Sequence, residues 1–321
     1  MNNKEWRRTP TRNDGVADRS GATDRSGATD RSDATDKLSA ISGSDAASRL
    51  DTANGSGVES KPSTAYKASS LLQVEVCCSS PESARIADRC SADRIELCKD
   101  LLADGRTPDE TTIGQVCEEV SLPVHVLIRP RAGSFYYSSK ELGVMEQQIR
   151  QAMQFPIAGI VIGHVNDQHQ PDPLLLKEWR EITRGIDLTF HRAFDRVADP
   201  FEALEMLVEA GFDRVLTSGG MVQGKVVSAD QGLDALVALN EKSSGRITIM
   251  PGGGITPENV HLFVKHGFDA IHLSAKGTLL PKGPSLTSGI SIDPTSRVEP
   301  VADERVLTEV LRVVRRMGSR P

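Results

Sequence analysis

The sequence has few aromatic residues and no long apolar run. Aromatic side chains make up 4% of its 321 residues, so a core would be built mainly from aliphatic side chains, as in many α/β proteins. No uninterrupted apolar stretch approaches the ~20 residues that cross a bilayer, and the N-terminus lacks the apolar segment of a secretory signal. We therefore expect a protein without a membrane partner that resides in the cytoplasm.

Cysteines and clusters of basic residues are also scarce. The five cysteines are odd in number and irregularly spaced, which argues against a disulfide framework and for reduced thiols that can act as soft metal ligands. The formal net charge is -6. Without a cluster of Lys and Arg to neutralise phosphates, the chain is not expected to bind nucleic acid.

The first 70 residues differ in composition from the rest of the chain. Between Asp18 and Asp36 the sequence reads DRSGATDRSGATDRSDATD, a six-residue repeat with nothing apolar to bury. Ser, Ala, Asp, Gly and Thr continue to dominate up to about Ser70. We interpret residues 1–70 as a disordered, low-complexity N-terminal tail and residues 71–321 as one folded domain.

From Leu71 onward, short apolar segments alternate with longer segments of helical periodicity. The eight predicted strands are Leu72–Cys77, Arg94–Cys98, Val124–Arg129, Gly159–Gly163, Asp187–His191, Arg214–Ser218, Ile247–Pro251 and Ala270–Ser274. The predicted helices are Pro81–Arg89, Asp109–Val120, Ser139–Gln154, Leu174–Thr183, Pro200–Ala210, Ala229–Asn240, Pro257–His266 and Ala302–Met317, with Thr256 as an N-cap. This order predicts an α/β fold, a parallel (β/α)₈ barrel.

A doubly wound dinucleotide-binding fold is the competing prediction. Its signature glycines should follow the first strand, where this chain has Cys77-Cys-Ser-Ser-Pro instead. The barrel is therefore the favoured architecture.

Strand parity divides the barrel residues into two sets, because alternate side chains face the helices and the barrel axis. The outward set is apolar: Val74, Val76, Ile95, Leu97, Val124, Val126, Ile128, Leu188, Phe190, Ile247, Ile249, Ile271 and Leu273. The inward set is unusually polar: Glu75, Cys77, Glu96, Cys98, His125, Arg129, Thr189, His191, Thr248, Met250, His272 and Ser274.

Buried carboxylates need partners. We expect Glu75 and Glu96 to pair with Arg129, His191 or His272 across the axis. Such a cluster is either a structural ion network or a functional pocket at the C-terminal mouth of the barrel, where the sites of these folds lie.

Cys77 and Cys98 end consecutive strands with the same inward parity, so their sulfurs are expected to converge. Two thiolates suit Cu(I), with Met250 or His191 as additional ligands. The alternative interpretation is that both are small buried apolar residues, as free cysteines often are.

Six segments resemble motifs of the CutC copper-homeostasis family, in family order. They are Val74-Glu-Val-Cys, Ala92-Asp-Arg-Ile-Glu-Leu-Cys, Pro123-Val-His-Val-Leu-Ile-Arg-Pro-Arg-Ala-Gly-Ser-Phe, Thr189-Phe-His-Arg-Ala-Phe-Asp, Arg214-Val-Leu-Thr-Ser-Gly-Gly and Ile249-Met-Pro-Gly-Gly-Gly-Ile. The resemblance covers about Leu72 to Ala275 and implies a TIM barrel, cytoplasmic residence, homo-oligomerisation and a proposed role in copper homeostasis. It also implies Cys77 and Cys98 as the Cu(I) ligands. The chain departs from the family pattern at Cys78, usually aliphatic, and at Ala132, usually glycine.

Glycines at the later strand ends form another candidate feature. Gly220, Gly252 and Gly253, together with Arg192 and Lys276, are predicted to bind an anion beside the barrel mouth. Tight connections between elements are an equally good interpretation of these glycines.

Whether the protein is an enzyme stays open at this point. In a catalytic barrel, Glu75 or Glu96 would be the general base, Arg129 and Arg192 anion clamps, and His191 an acid or base in proton-transfer or aldol-type chemistry. Two hypotheses follow from the sequence. The first is a Cu(I)-binding homeostasis protein, and the second is a lyase- or isomerase-like enzyme acting on a small anionic or phosphorylated metabolite.

Overall fold

The computed structural model describes residues 72–276 and 300–318. The tail predicted for residues 1–70 lies outside the described residues, so that prediction stays untested. No helix in these two ranges combines the length and the hydropathy needed to cross a membrane.

Eight parallel strands form the central sheet: β1 Gln73–Cys78, β2 Arg94–Leu97, β3 Val124–Leu127, β4 Gly159–Ile162, β5 Asp187–Phe190, β6 Arg214–Thr217, β9 Thr248–Pro251 and β10 Ala270–Leu273. Their order in the sheet is β10-β1-β2-β3-β4-β5-β6-β9. A bridge between Gly252 and His272 joins the two ends of this order and closes the barrel. The predicted barrel is therefore confirmed. A separate small hairpin consists of β7 Met221–Val222 and β8 Lys225–Val226.

The helices alternate with the strands, and the first five begin at recognisable capping residues. They are α1 Pro81–Arg89, α2 Glu110–Glu119, α3 Ser139–Ala152, α4 Pro173–Ile182, α5 Pro200–Glu209, α6 Leu233–Ser243, α7 Val260–Lys265 and α8 Glu304–Gly318. Side chains of Ser80, Asp109, Ser138, Asp172 and Asp199 accept backbone N–H groups at the first turns of α1 to α5. Proline opens α1, α4 and α5, where a missing N–H costs nothing.

Two helices begin three or four residues later than predicted. Helix α6 begins at Leu233 instead of Ala229, and α7 begins at Val260 instead of Pro257. Thr256 is not an N-cap, because Asn259 holds that position. The Asn259 side chain instead accepts the Thr256 N–H, so the chain turns once more before the helix forms.

The strand parity predicted from the sequence is confirmed. Every member of the outward set is buried in one large core cluster with side chains of the helices. The apolar side chains facing the axis form two separate small clusters, one of Cys77, Cys98, Leu127 and Val161 and one of Leu216, Met250 and Ala270. Polar side chains of the interior contact both clusters, since Arg94 donates to Met250 and His272 lies beside Cys77.

Gly159 allows a histidine to pack inside the barrel, and its replacement provides a test of this packing. A β-carbon at Gly159 would overlap the His125 imidazole and lie 2.9 Å from the carbonyl oxygen of Asp187. We expect Gly159→Ala to lower the free energy of unfolding by about 1–3 kcal/mol, as overpacking does in closed cores. Urea denaturation measures the change.

Gly143→Ala is the matched control for that variant. Gly143 lies in α3 with no atom within contact distance of a β-carbon. Alanine should therefore raise stability by about 0.5–1 kcal/mol through helix propensity alone. Equal effects of the two variants would contradict the packing argument.

Candidate functional site

A cavity of about 860 Å³ lies at the C-terminal mouth of the barrel. We call it the mouth cavity. Strand ends and the loops that follow them line it, including Cys77, Glu96, Phe135, His191, Arg192, Gly253, His272 and Lys276. The volume falls in the range of pockets that hold small molecules. A cavity of suitable size therefore lies at the end of the barrel where the sequence predicts a site.

The sulfurs of Cys77 and Cys98 converge, 3.7 Å apart. They do so because β1 and β2 are neighbours in a register that pairs Cys77 with Glu96, two residues before Cys98. Cys77 lines the mouth cavity, whereas Cys98 is fully buried. The remaining cysteines, Cys78, Cys90 and Cys117, pack against the helix-facing core.

Glu96 and His272 complete a group around Cys77. One ligand atom from each of Cys77, Glu96 and His272 lies within 4.8 Å of the others. Since β10 pairs with β1 and β1 with β2, three adjacent strands supply this group. It combines a soft sulfur, an imidazole and a hard carboxylate oxygen.

Next to this group, Glu75, Arg94 and His272 form a network of compensated buried charges. Glu75 accepts a hydrogen bond from Arg94 Nε at 2.6 Å and one from His272 Nδ1 at 2.7 Å. Burial by itself raises the pKa of Glu75, but the charges of Arg94 and His272 outweigh it and hold that pKa far below its usual value. Glu75 is therefore ionised, and the predicted pairing of this carboxylate with His272 is observed.

Glu96 has a different state from Glu75. Burial and the neighbouring Glu75 charge raise its pKa to about 7, against the opposing attraction of His272 and Arg94. Its Oε2 atom has no hydrogen-bond partner among the described residues and lies 3.5 Å from His272 Nδ1. Glu96 can thus gain or lose a proton near neutral pH.

Cys77 and His272 have opposite preferences for charge. The hydrogen bond with Cys98, burial and the negative charge of Glu96 raise the pKa of the Cys77 thiol well above its usual value. Burial favours the neutral form of His272, but Glu96, Cys77 and Glu75 together raise its pKa well above the ordinary value. A protonated imidazolium beside a protonated thiol is the state expected without a bound ligand.

Arg129 has a different task from the predicted anion clamp. Its Nη1 donates to the carbonyl oxygens of Ala103, Asp104 and Gly105, and its Nη2 donates to that of Gly133. The side chain is buried and does not line the mouth cavity. Arg129 therefore holds two loops of the barrel mouth together.

The structure separates the other residues of the predicted anion site. Arg192, Gly253 and Lys276 line the mouth cavity, whereas Gly220 and Gly252 do not. A β-carbon at Gly252 would overlap Leu216, so this glycine allows the close approach at the closing bridge. Gly220 adopts a φ of +98° at the start of the β7–β8 hairpin, a conformation that glycine reaches without strain.

Two residues that form contacts in or beside the barrel interior, Arg94 and Asp195, are absent from the candidate site residues predicted from the sequence. Arg94 lies two residues before Glu96 in β2 and therefore shares its inward parity, which is the signal in the sequence that points to the interior. Asp195 accepts hydrogen bonds from Arg192 and Thr217. Met250, predicted as a copper ligand, instead accepts from Arg94 Nη2 at 3.2 Å in a different interior cluster from the thiols.

Fold and site together define a class of protein: a parallel (β/α)₈ barrel with paired thiols and compensated charges in its interior instead of aliphatic layers. The CutC family model matches residues 72–277 of the chain. The chain therefore belongs to the CutC family, a family associated with copper homeostasis.

Individual relatives agree with this assignment. The chain is 43% identical over 218 residues to a "Copper homeostasis protein cutC homolog" of Homo sapiens, covering 68% of this chain and 78% of that protein. It is 39% identical to a "family protein CutC" of Pasteurella multocida, covering 66% and 86%. A crystal structure of the "Putative Copper Homeostasis Protein CutC" from Streptococcus agalactiae superposes with a TM-score of 0.58 at 30% identity, covering 64% of this chain and 99% of the other.

Removal of Arg94 tests the buried ion pair. Arg94→Met leaves the ionised Glu75 without its closest partner, and we expect a loss of about 3–5 kcal/mol in the free energy of unfolding. The double variant Glu75→Gln with Arg94→Met should recover part of this loss, because no uncompensated charge remains. Urea denaturation of both variants measures the coupling.

The control for that experiment is an exposed pair of the same chemistry. Arg312 and Glu309 on α8 have side chains that are 53% and 45% exposed. Arg312→Met should change stability by less than about 1 kcal/mol. A similar cost for Arg94→Met would contradict a stabilising role of the interior network.

His125 predicts a measurable pH dependence of stability. Burial and the charge of Arg94 lower its pKa to about 3 in the folded state. Because the unfolded imidazole binds its proton at about pH 6.5, this stabilising contribution is present above that pH and is lost as the pH falls towards 3. Each pH unit in this window costs roughly 1.4 kcal/mol.

The variant His125→Asn should remove this dependence. We expect its free energy of unfolding to fall less steeply than that of the original protein between pH 6.5 and about 4.5. His266→Asn, at an exposed site after α7, is the control and should keep the original slope. Denaturant titrations at several pH values give the comparison, and identical slopes for all three proteins would refute the assignment.

Proposed function

We propose that this protein binds Cu(I) through Cys77, Cys98 and His272 and serves as a carrier or buffer of that ion in cytoplasmic copper homeostasis. The observation that carries the proposal is the 3.7 Å separation of the Cys77 and Cys98 sulfurs, with His272 beside Cys77. The names of the relatives refer to the same process, copper homeostasis.

The sulfur spacing fits one metal ion. Metal–thiolate bonds are about 2.3 Å long, so two sulfurs on one ion stand about 4 Å apart at ligand angles between tetrahedral and trigonal. Thiolate and imidazole ligands select Cu(I) over hard cations, which prefer oxygen. Glu96 therefore acts as a counter-charge beside the ion, and the two cysteines and the histidine act as ligands.

His272 is oriented for this role by Glu75. Its Nδ1 donates to the Glu75 carboxylate at 2.7 Å, which leaves Nε2 as the nitrogen that can bind a metal. A carboxylate behind a ligating histidine fixes the ring and raises its basicity. Ion binding must displace the protons of Cys77 and His272, so Cu(I) uptake releases protons into the cavity.

The mouth cavity provides the route to the thiols. Cys77 lines it, and Cys98 lies behind Cys77 without exposure to solvent. An ion therefore meets Cys77 first and is then shared with Cys98. One exposed ligand and one buried ligand suit a protein that both accepts and releases its ion.

Anaerobic titration of Cu(I) against a chromophoric chelator tests the proposal. We expect one ion per chain, with affinity weakened at least about 100-fold in Cys77→Ser and Cys98→Ser because each change removes a thiolate ligand. His272→Asn should weaken binding by about 10- to 100-fold.

Cys117→Ser is the matched control, because this half-buried thiol lies on α2 away from the barrel interior. Its Cu(I) affinity should equal that of the original protein. Unchanged affinity in the double variant Cys77→Ser with Cys98→Ser would refute the proposed site.

The other expectations from the sequence stay predictions. They are homo-oligomerisation, a role for residues 1–70 and the alternative of a barrel enzyme acting on an anionic metabolite. Cytoplasmic residence is part of the proposal above.

A further inference from the structure

His191 presents a hydrogen-bond donor towards the mouth cavity. The backbone N–H of Ala193 donates to His191 Nδ1 at 3.1 Å. A backbone N–H can only donate, so Nδ1 carries no proton, and the single proton of the neutral imidazole lies on Nε2. Burial and the charges of Arg129 and Arg192 lower the pKa of His191 to about 3, which keeps the ring neutral.

This Nε2–H group has no acceptor among the described residues, although only 4% of the surface of His191 is exposed to solvent. A buried donor without an acceptor is costly and rare in folded proteins. The Nδ1 edge of the ring lies against Gly163 and Ala193, so the Nε2 edge is turned towards the barrel axis. Phe135 packs on the ring at a centroid distance of 4.8 Å.

Arg192 supplies a positive charge on the wall of the same cavity. Its Nε donates to Asp195 at 2.8 Å and its Nη2 to Ser218 at 3.3 Å, so the guanidinium is held in place. Asp195 also accepts from Thr217 Oγ1 at 2.6 Å and from the Ser218 N–H at 2.9 Å. Gly253 leaves room for the guanidinium, because a β-carbon there would lie 3.3 Å from its central carbon.

From these contacts we infer that the mouth cavity contains a second binding site, in which His191 Nε2–H and the Arg192 guanidinium hold the carboxylate or phosphate group of a small organic anion. The site needs no metal and does not depend on Cys77 or Cys98. Both donors are fixed before binding, which reduces the cost of ordering them around a ligand.

The size of the cavity favours an organic anion over a bare inorganic ion. A volume of about 860 Å³ is many times the ~30 Å³ occupied by a water molecule. Arg196 and Lys276 add positive charge to its lining, whereas Glu96, Asp104, Asp195 and Glu258 are its acidic side chains. The oxyanion group is therefore placed by His191 and Arg192, and the remainder of the molecule occupies the space beside Phe135.

Calorimetric titration of the metal-free, full-length protein tests the inference. The probes are glycerol 3-phosphate and succinate, which separate phosphate from carboxylate recognition, with inorganic phosphate and neutral glycerol as comparisons. We expect saturable binding of at least one organic anion, tighter than that of inorganic phosphate, and none of glycerol. Binding should also shift the imidazole ¹⁵N resonance of His191 Nε2 in NMR spectra.

Two variants remove the donors one at a time. In His191→Asn the side-chain oxygen can still accept the Ala193 N–H, but the Nε2 donor is lost. In Arg192→Gln the charge is lost at a partly exposed position, so this variant carries the test if His191→Asn does not fold. Each should weaken binding about tenfold or more, as expected for a charge-assisted or buried hydrogen bond.

The control variant is His266→Asn, which should bind the probes as the original protein does. The inference is overturned if neither organic anion saturates the protein by about 20 mM, well beyond ordinary substrate affinities, or if both donor variants bind unchanged. Because no copper is present, failure here leaves the Cu(I) site untouched, and failure of Cu(I) binding leaves this result untouched.

Discussion

The Glu75 carboxylate, held between Arg94 and His272, is the interaction on which the barrel interior depends. A carboxylate that is 1% exposed would be strongly destabilising without compensation. Its two partners come from β2 and β10, the strands on either side of β1. The network therefore compensates the buried charge and also links the strands at the seam between the first and last units of the barrel.

The chemistry of the mouth cavity depends on this network of Glu75, Arg94 and His272. Because Glu75 accepts a hydrogen bond from Nδ1 of His272, the imidazole is held in one orientation beside Cys77, and its Nε2 takes no part in that hydrogen bond. The same ionised carboxylate contributes to the raised pKa of Glu96. Thiols, imidazole and an easily protonated carboxyl thus meet at the floor of one cavity, while His191 and Arg192 form a separate pair of donors on its wall.

Strand parity carried most of the predictive power of the sequence. It placed every outward aliphatic residue in the helix-facing core and brought Cys77 and Cys98 together. It did not identify partners, because a pairing across the axis depends on barrel stagger and side-chain length. Parity therefore does not show that Arg129 binds loop carbonyl oxygens and not an anion. It also does not show that Met250 contacts Arg94.

The sequence by itself determined the eight-unit alternation, the family and most of the polar residues that face the axis. These properties are local, since they follow from period-two strands, capping residues and short motifs. Only the tertiary structure decided which charges compensate one another, which His272 nitrogen contacts Glu75 and which His191 nitrogen carries the proton. Those outcomes depend on distances of a few ångströms between side chains from strands far apart in the chain, and local sequence patterns do not encode such distances.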